Sequence, residues 1–299
     1  MRFVLAVAAL VIAGCTGPSA PSSEPPSPVS PPFRSASAPK TSPLPPPTVY
    51  ASASDEPVPL ADPAAEKARV LSEYAGRKPR AWGMDIAGVH TTVASKEPAL
   101  ALTFDACGGP GGDGYDSELI EFLRRERVNA TLFLTNKWIK AHPTIAAALA
   151  AEPLFEIENH GSAHRPCSVT GRSAFDIRGT RNASEAVDEI TNGALAVFAV
   201  TKQKPHFYRP GTAYFDDVCL QIANALGYEA AGFAVNGDGG TGFSRAQVKN
   251  ALLKATPGSI VLLHMNHPSG ATAEGVIEAV PLLRERGIKF VRLGDPNPK

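Results

Sequence analysis

The run ALALTF at residues 99–104 lacks polar alternation, which marks a strand covered on both faces. A glycine-rich segment follows it, and Asp116 then stands where a helix cap belongs. The spacing of Leu119, Ile120 and Leu123 predicts a helix from Ser117 to Arg127. A buried strand, a glycine loop and an amphipathic helix make one strand–helix unit.

Downstream the unit repeats. Ala130 to Leu134 and Phe155 to Glu158 read as strands, with a helix opened by Pro143 and running to Ala151 between them. Four more strands are expected, from His206 to Arg209, Ala230 to Val235, Ser259 to Leu263 and Lys289 to Leu293. Helices separate them: one after Asn182, whose spacing to Glu185 fits a capping box, then Asp217 to Leu226, Arg245 to Lys254 and Glu274 to Arg286. Upstream, Ala65, Ala68, Val70, Leu71 and Tyr74 predict a helix from Ala64 to Arg77, and the stretch from there to Lys96 has no assignable period. Alternation of this kind specifies a parallel sheet with right-handed crossovers. The expected fold class is α/β: a distorted, incomplete (β/α) barrel of about seven parallel strands, with a doubly wound open sheet as the alternative.

The stretch FEIENHGSAH, residues 155–164, carries the chemistry that this fold would present. Its strand ends at Asn159-His160-Gly161, where glycine lets the backbone turn. His160 and His164 stand four positions apart, so one turn aims both imidazoles at a common point, which suits a divalent metal such as zinc. The plainer alternative is that each histidine meets a hydrogen-bond partner or water. Other strand exits carry Asp105, Arg209, Asn236 with Asp238, and His264, and a parallel barrel brings all exits to one face. The glycine-rich segment lacks the Lys-Ser/Thr of a phosphate loop, and no GxSxG elbow makes Ser162 a nucleophile.

Net charge is zero, which gives no footprint for nucleic acid or an anionic surface, and no apolar run reaches the length of a membrane span. Residues 1–14 have the form of a signal peptide: Arg2, an apolar run from Phe3 to Ala13, then Gly14-Cys15. Small residues before that cysteine resemble a bacterial lipobox, which implies export and a lipid at Cys15 as the sole membrane attachment. Residues 16–62 hold half of the chain's 28 prolines, so 15–62 is expected to be a tether reaching up to roughly 145 Å as polyproline, with 63–299 as the folded domain. Of the remaining cysteines, Cys107 and Cys167 are expected either to form a disulfide or to stay buried thiols alongside Cys219.

The exit residues resemble the motifs of the NodB-homology polysaccharide deacetylases (carbohydrate esterase family 4), over roughly Ala99 to Leu293. The first motif is similar to Thr103-Phe104-Asp105, the second to His160-Gly161-Ser162-Ala163-His164, the third to Arg209-Pro210-Gly211. The fourth falls near Asp238, and the fifth is similar to Leu262-Leu263-His264. The resemblance implies a metal-dependent hydrolase of N-acetyl groups on amino sugars, acting on an N-acetylated glycan; the chain is expected to be a monomer. It implies His160 and His164 as ligands of zinc (or cobalt or nickel), Asp105 as base, Arg209 as its partner, His264 as acid supported by Asp238, and Leu262 against the acetyl methyl. One position departs from the pattern. The family has two adjacent aspartates at motif one, the second a metal ligand, where this chain has Ala106. Asp113 is the first expected substitute; Asp105 itself, or a weak or absent metal, are the alternatives. Cys107 is set aside as a ligand because exported thiols tend to be oxidised.

Overall fold

The buried strand at residues 99–104 extends to Ala106 as β3, every residue of it buried, in a computed structural model that describes residues 62–295. The expected signal peptide, Cys15 and all of the expected tether except Asp62 lie outside the described residues. Asp62 caps α1 (Pro63–Tyr74), which stops short of the expected Arg77.

The unassigned stretch before Lys96 holds two short strands, β1 (Trp82–Gly83) and β2 (Val89–His90). After β3 come α2 (Ser117–Glu126), β4 (Ala130–Leu134), α3 (Asn136–Ala141), α4 (Pro143–Ala150) and β5 (Phe155–Asn159). The long polar loop contains a hairpin, β6 (Ser173–Ala174) with β7 (Ile177–Arg178), and α5 (Ala183–Thr201) follows with Asn182 accepting from the Glu185 amide. The chain continues through β8 (Phe207–Tyr208), β9 (Phe215–Asp216), α6 (Asp217–Ala225), β10 (Glu229–Ala231) and β11 (Val235–Asn236). It ends with α7 (Arg245–Lys254), β12 (Ile260–His264), α8 (Thr272–Glu285) and β13 (Lys289–Phe290).

The parallel sheet runs β11-β12-β3-β4-β5-β8-β10-β2, with β13 paired to the start of β3. Its two ends are tied together by the chain itself. β10 lies near one end and β11 at the other, yet only residues 232–234 separate them. Such a link spans at most about 14 Å, so the sheet must curl. Ile260 donates to the Thr91 carbonyl at 3.0 Å and Val93 to Gly258 at 2.8 Å, bringing the β2 edge round to β12. This curled half-barrel of eight strands is the expected incomplete barrel with one strand more, and it excludes the doubly wound sheet.

The strand expected from Ala230 to Val235 is broken at Gly232, and the reason lies in the barrel interior. Buried Arg209 donates to the carbonyls of Ala231 and Gly232, at 3.4 and 2.9 Å. Outside the sheet, α2, α7 and α8 pack one apolar core against β3, β4 and β12, while α1, α5 and α6 pack another against β8 and β10.

The disulfide joins Cys167 to Cys219, not Cys107 to Cys167. Cys167 bridges to Phe215, whose strand leads directly into the helix bearing Cys219. Closing a 52-residue separation contributes about 2–5 kcal/mol. Cys219→Ser is therefore expected to lower denaturant-measured stability by that amount, and an unchanged unfolding midpoint would show the bridge to be unformed.

Candidate active site

Strand alternation decides what β3 offers at its exit. Thr103, Asp105 and Cys107 fall on one face and Ala106 on the other, where it joins the apolar core beneath the helices. Asp105 is buried and Cys107 partly so.

The His160 turn is built by α5. Asn159 accepts from the Gly161 amide at 2.9 Å and donates to the Ile190 carbonyl at 2.9 Å. Gly161 has φ +84°, and Glu189 accepts from the amides of Ala163 and Arg165 at 2.8 and 3.2 Å. His164 sits at φ +61°, a strained conformation for a residue with a side chain. The third motif explains how it is held: a Cβ at Gly211 would run into the His164 carbonyl, so only glycine permits this approach.

His160 Nδ1 lies 2.8 Å from the Arg209 carbonyl, an acceptor, so in the neutral ring Nδ1 carries the proton and Nε2 the lone pair; burial opposes the charged ring, but the Asp105 carboxylate and Cys107 raise its pKa. That Nε2 faces Asp105 Oδ2 at 3.5 Å and Cys107 Sγ at 3.9 Å. The His164 ring is edge-on to His160 with centroids 5.0 Å apart. One potential ligand atom each from Cys107, His160 and His164 lies within 4.8 Å of the others, so the donor set fits a zinc-like cation.

Asp105 Oδ1 accepts from Arg209 Nη1 at 2.7 Å, and the same nitrogen donates to Thr103 Oγ1 at 2.9 Å. Arg209 is wholly buried and its guanidinium stacks 4.2 Å from the centroid of Phe133. Burial pushes the Asp105 carboxyl up, but the charges of Arg209, His160 and His264 outweigh it and hold the group below the usual carboxylate range.

His264 lies beside Asp105, its register partner on the neighbouring strand. Its Nδ1 is 3.1 Å from both carboxylate oxygens of Asp238, which also accepts from the His264 amide at 2.7 Å and from Thr272 at 3.1 Å. Burial alone would lower the His264 pKa; the hydrogen bonds and charges of buried Asp238 and of Cys107 raise it well above the ordinary value. Leu262 precedes His264 by one pleat and is 8 % exposed.

Thus Asp105, His160 and Arg209 meet directly, His264 stands beside Asp105 on the neighbouring strand, and His164, Asp238 and Leu262 lie around them. Asp113 does not join them: it is exposed, and its carbonyl accepts from His142 Nε2 at 2.7 Å. Asn236 also stays out, accepting from the Gly239 amide at 2.8 Å. Cys107 is the residue that sequence reasoning discounted. Its odd-numbered place after Thr103 and Asp105 was the available signal.

Residues 92–231 match the polysaccharide deacetylase family. The chain is 27% identical over 209 residues to the peptidoglycan-N-acetylmuramic acid deacetylase PdaA of Bacillus subtilis, covering 67% of this chain and 72% of that protein. It is 28% identical to a chitooligosaccharide deacetylase of Sinorhizobium fredii, over 64% of this chain and 87% of the relative. The PdaA structure superposes with a TM-score of 0.57 at 24% identity, covering 76% of this chain and 87% of PdaA. The same fold serves a family 4 pseudoenzyme from Bacillus anthracis, with a TM-score of 0.54 at 23% identity over 67% and 65% of the two chains. Fold alone therefore does not decide catalysis. The match is local and the fold extends it: residues 92–231 carry a polysaccharide deacetylase (NodB) domain, and the surrounding fold is that of the family 4 carbohydrate esterases.

Proposed function

We propose that this protein is an exported, metal-dependent hydrolase that removes N-acetyl groups from amino sugars of a cell-envelope glycan. The observation that carries this reading is a single rim on which an arginine-locked carboxylate, two converging imidazoles and a third imidazole held by a buried carboxylate meet. Relatives described as deacetylases of peptidoglycan N-acetylmuramic acid and of chitooligosaccharide support the substrate class.

An amide is a poor electrophile, and neutral water is a poor nucleophile. A divalent cation, zinc before cobalt or nickel, bound at His160 and His164 supplies the Lewis acidity that answers both difficulties. Asp105, kept ionised by Arg209, accepts a proton from the attacking water. His264, held by Asp238, donates a proton to the departing nitrogen. Leu262 offers apolar surface to the acetyl methyl. The water is divided between products: its oxygen enters acetate and a proton ends on the sugar amine.

The pH dependence follows. With the His264 pKa raised, its acid form should persist above the usual histidine value of about 6.5, and kcat/KM should fall as pH rises through the raised pKa. Asp238→Asn removes the charge that sustains the imidazolium, so the basic limb of the profile is expected to move to lower pH. An unmoved limb would assign the proton donor elsewhere.

The Cys167–Cys219 disulfide supports an oxidising compartment. With the lipobox-like Cys15 and the proline-rich stretch after it, the reading is a lipid-anchored monomer on a tether, touching the membrane only through its lipid. Among the described residues no helix is long and apolar enough to cross a membrane.

One observation favours a second reading, a non-catalytic glycan-binding lipoprotein: Ala106 stands where the family has a ligand. Acetate release from chitooligosaccharides and peptidoglycan fragments, with matched O-acetyl sugars beside them, tests both readings. Release from the N-acetyl sugars, abolished by chelator, supports the deacetylase; binding without release supports the alternative, and release from O-acetyl sugars alone makes the enzyme an esterase.

A further inference from the structure

We propose that Cys107 is the third protein ligand of the cation, so that a thiolate takes the place of the carboxylate absent at position 106. The assignment rests on the metal-dependent reading above and deepens it. Three independent features of the structure support it.

The first is strand geometry. A side chain at position 106 points outward into the core beneath the helices, whereas Cys107 follows Asp105 on the inner face. The second is distance. Zinc bonds of about 2.3 Å to sulfur and 2.0–2.1 Å to nitrogen, opened to the tetrahedral angle, place the two ligand atoms roughly 3.6 Å apart. Cys107 Sγ and His160 Nε2 are 3.9 Å apart, and His164 completes a group within 4.8 Å. The third is support. The Cys107 carbonyl accepts from Thr135 Oγ1 at 2.7 Å, and Thr135 in turn caps α3 by accepting from the Trp138 amide at 3.0 Å. On the other side Gly108 donates to Gly112 at 2.8 Å, whose carbonyl accepts from Asn266 at 2.7 Å. The loop is thus pinned on both flanks of the cysteine, as ligand-bearing backbone should be.

The pairing of the other cysteines completes the case. Because Cys167 and Cys219 are joined, Cys107 has no disulfide partner among the described residues and is available as a thiolate. The objection that an exported thiol would be oxidised is therefore met by its partners being taken and by its own partial burial. With the thiolate on the cation, Asp105 is left to its base role. A Cys-His-His set also favours softer cations such as zinc over magnesium or manganese.

Cobalt(II) substitution of the purified protein tests this directly. A thiolate-to-cobalt charge-transfer band in the near ultraviolet, absent in Cys107→Ala and in Cys107→Asp, is expected. Zinc affinity should fall at least about 100-fold in Cys107→Ala and recover in part in Cys107→Asp. Alkylation by iodoacetamide, mapped to Cys107 by peptide mass, should be blocked by zinc. A cobalt-loaded protein without the band, whose metal is still lost in His164→Ala, overturns the assignment, as does undiminished zinc binding by Cys107→Ala. These readouts do not depend on turnover. A band without acetate release leaves the ligand standing while the deacetylase reading fails.

Discussion

Arg209→Met is expected to lower the unfolding free energy by about 3–5 kcal/mol, because it leaves the buried Asp105 carboxylate without its counter-charge. For a domain of this size that corresponds to a fall in Tm of roughly 6–20 °C. The side chain also satisfies Thr103 and the carbonyls at the break after β10, so its loss exposes a fault line in the barrel wall. The sign of the pH dependence is fixed by Asp105. In the native protein its pKa is held below the ordinary value, so the pair's contribution is present above about pH 4 and is lost as pH falls through the depressed pKa. In the variant, burial without the guanidinium drives that pKa upward, and the deficit against the parent should shrink on acidification. The double variant Asp105→Leu, Arg209→Met should recover much of the stability, since an apolar pair can replace a buried ion pair, while remaining inactive. Thermal unfolding of the parent and both variants measures this; a single variant as stable as the parent would mean that water already screens the pair.

His160→Ala should abolish both metal retention and acetate release. The imidazole faces Asp105 and Cys107 through Nε2 while its Nδ1 is tied to the Arg209 carbonyl, so no neighbouring side chain can take its place. Metal catalysis contributes several kcal/mol of transition-state stabilisation, and each 1.36 kcal/mol is a factor of ten in rate. The expected loss is therefore about a thousandfold or more in kcat/KM, with less than one equivalent of bound zinc by elemental analysis. Removing this buried imidazole costs a small cavity and the hydrogen bond to the Arg209 carbonyl but leaves the Asp105–Arg209 pair in place, so the unfolding midpoint should move less than for Arg209→Met. A variant that keeps its zinc would show that the ion sits elsewhere.

Local pattern and motif order carried most of the architecture. The unbroken apolar run of β3 announced a doubly covered strand, and the residues of α7 set its bounds as the spacing predicts. Asp105, His160 and His264 stood out because each follows a strand, and a parallel curl brings strand exits together. What escaped was long-range. Nothing local tells Cys167 to pair with Cys219, since the link depends on β9 lying against the loop after His164. The break between β10 and β11 arises from a guanidinium two strands away in sequence, and β2 is too short to show a period. Asp113 looked a plausible ligand by proximity in sequence, but the pinned glycine loop turns it outward to His142. Cys107 was discounted on redox grounds, although strand alternation already placed it with Asp105.

Acetate release from an N-acetylated glycan fragment, followed as zinc is titrated into chelated protein, tests the central claim most directly. The account predicts no release from the metal-free protein, a rise to a plateau at one equivalent, and one free amine for each acetate formed. Chelated protein that releases acetate at the full rate, or zinc-loaded protein that releases none, would contradict it.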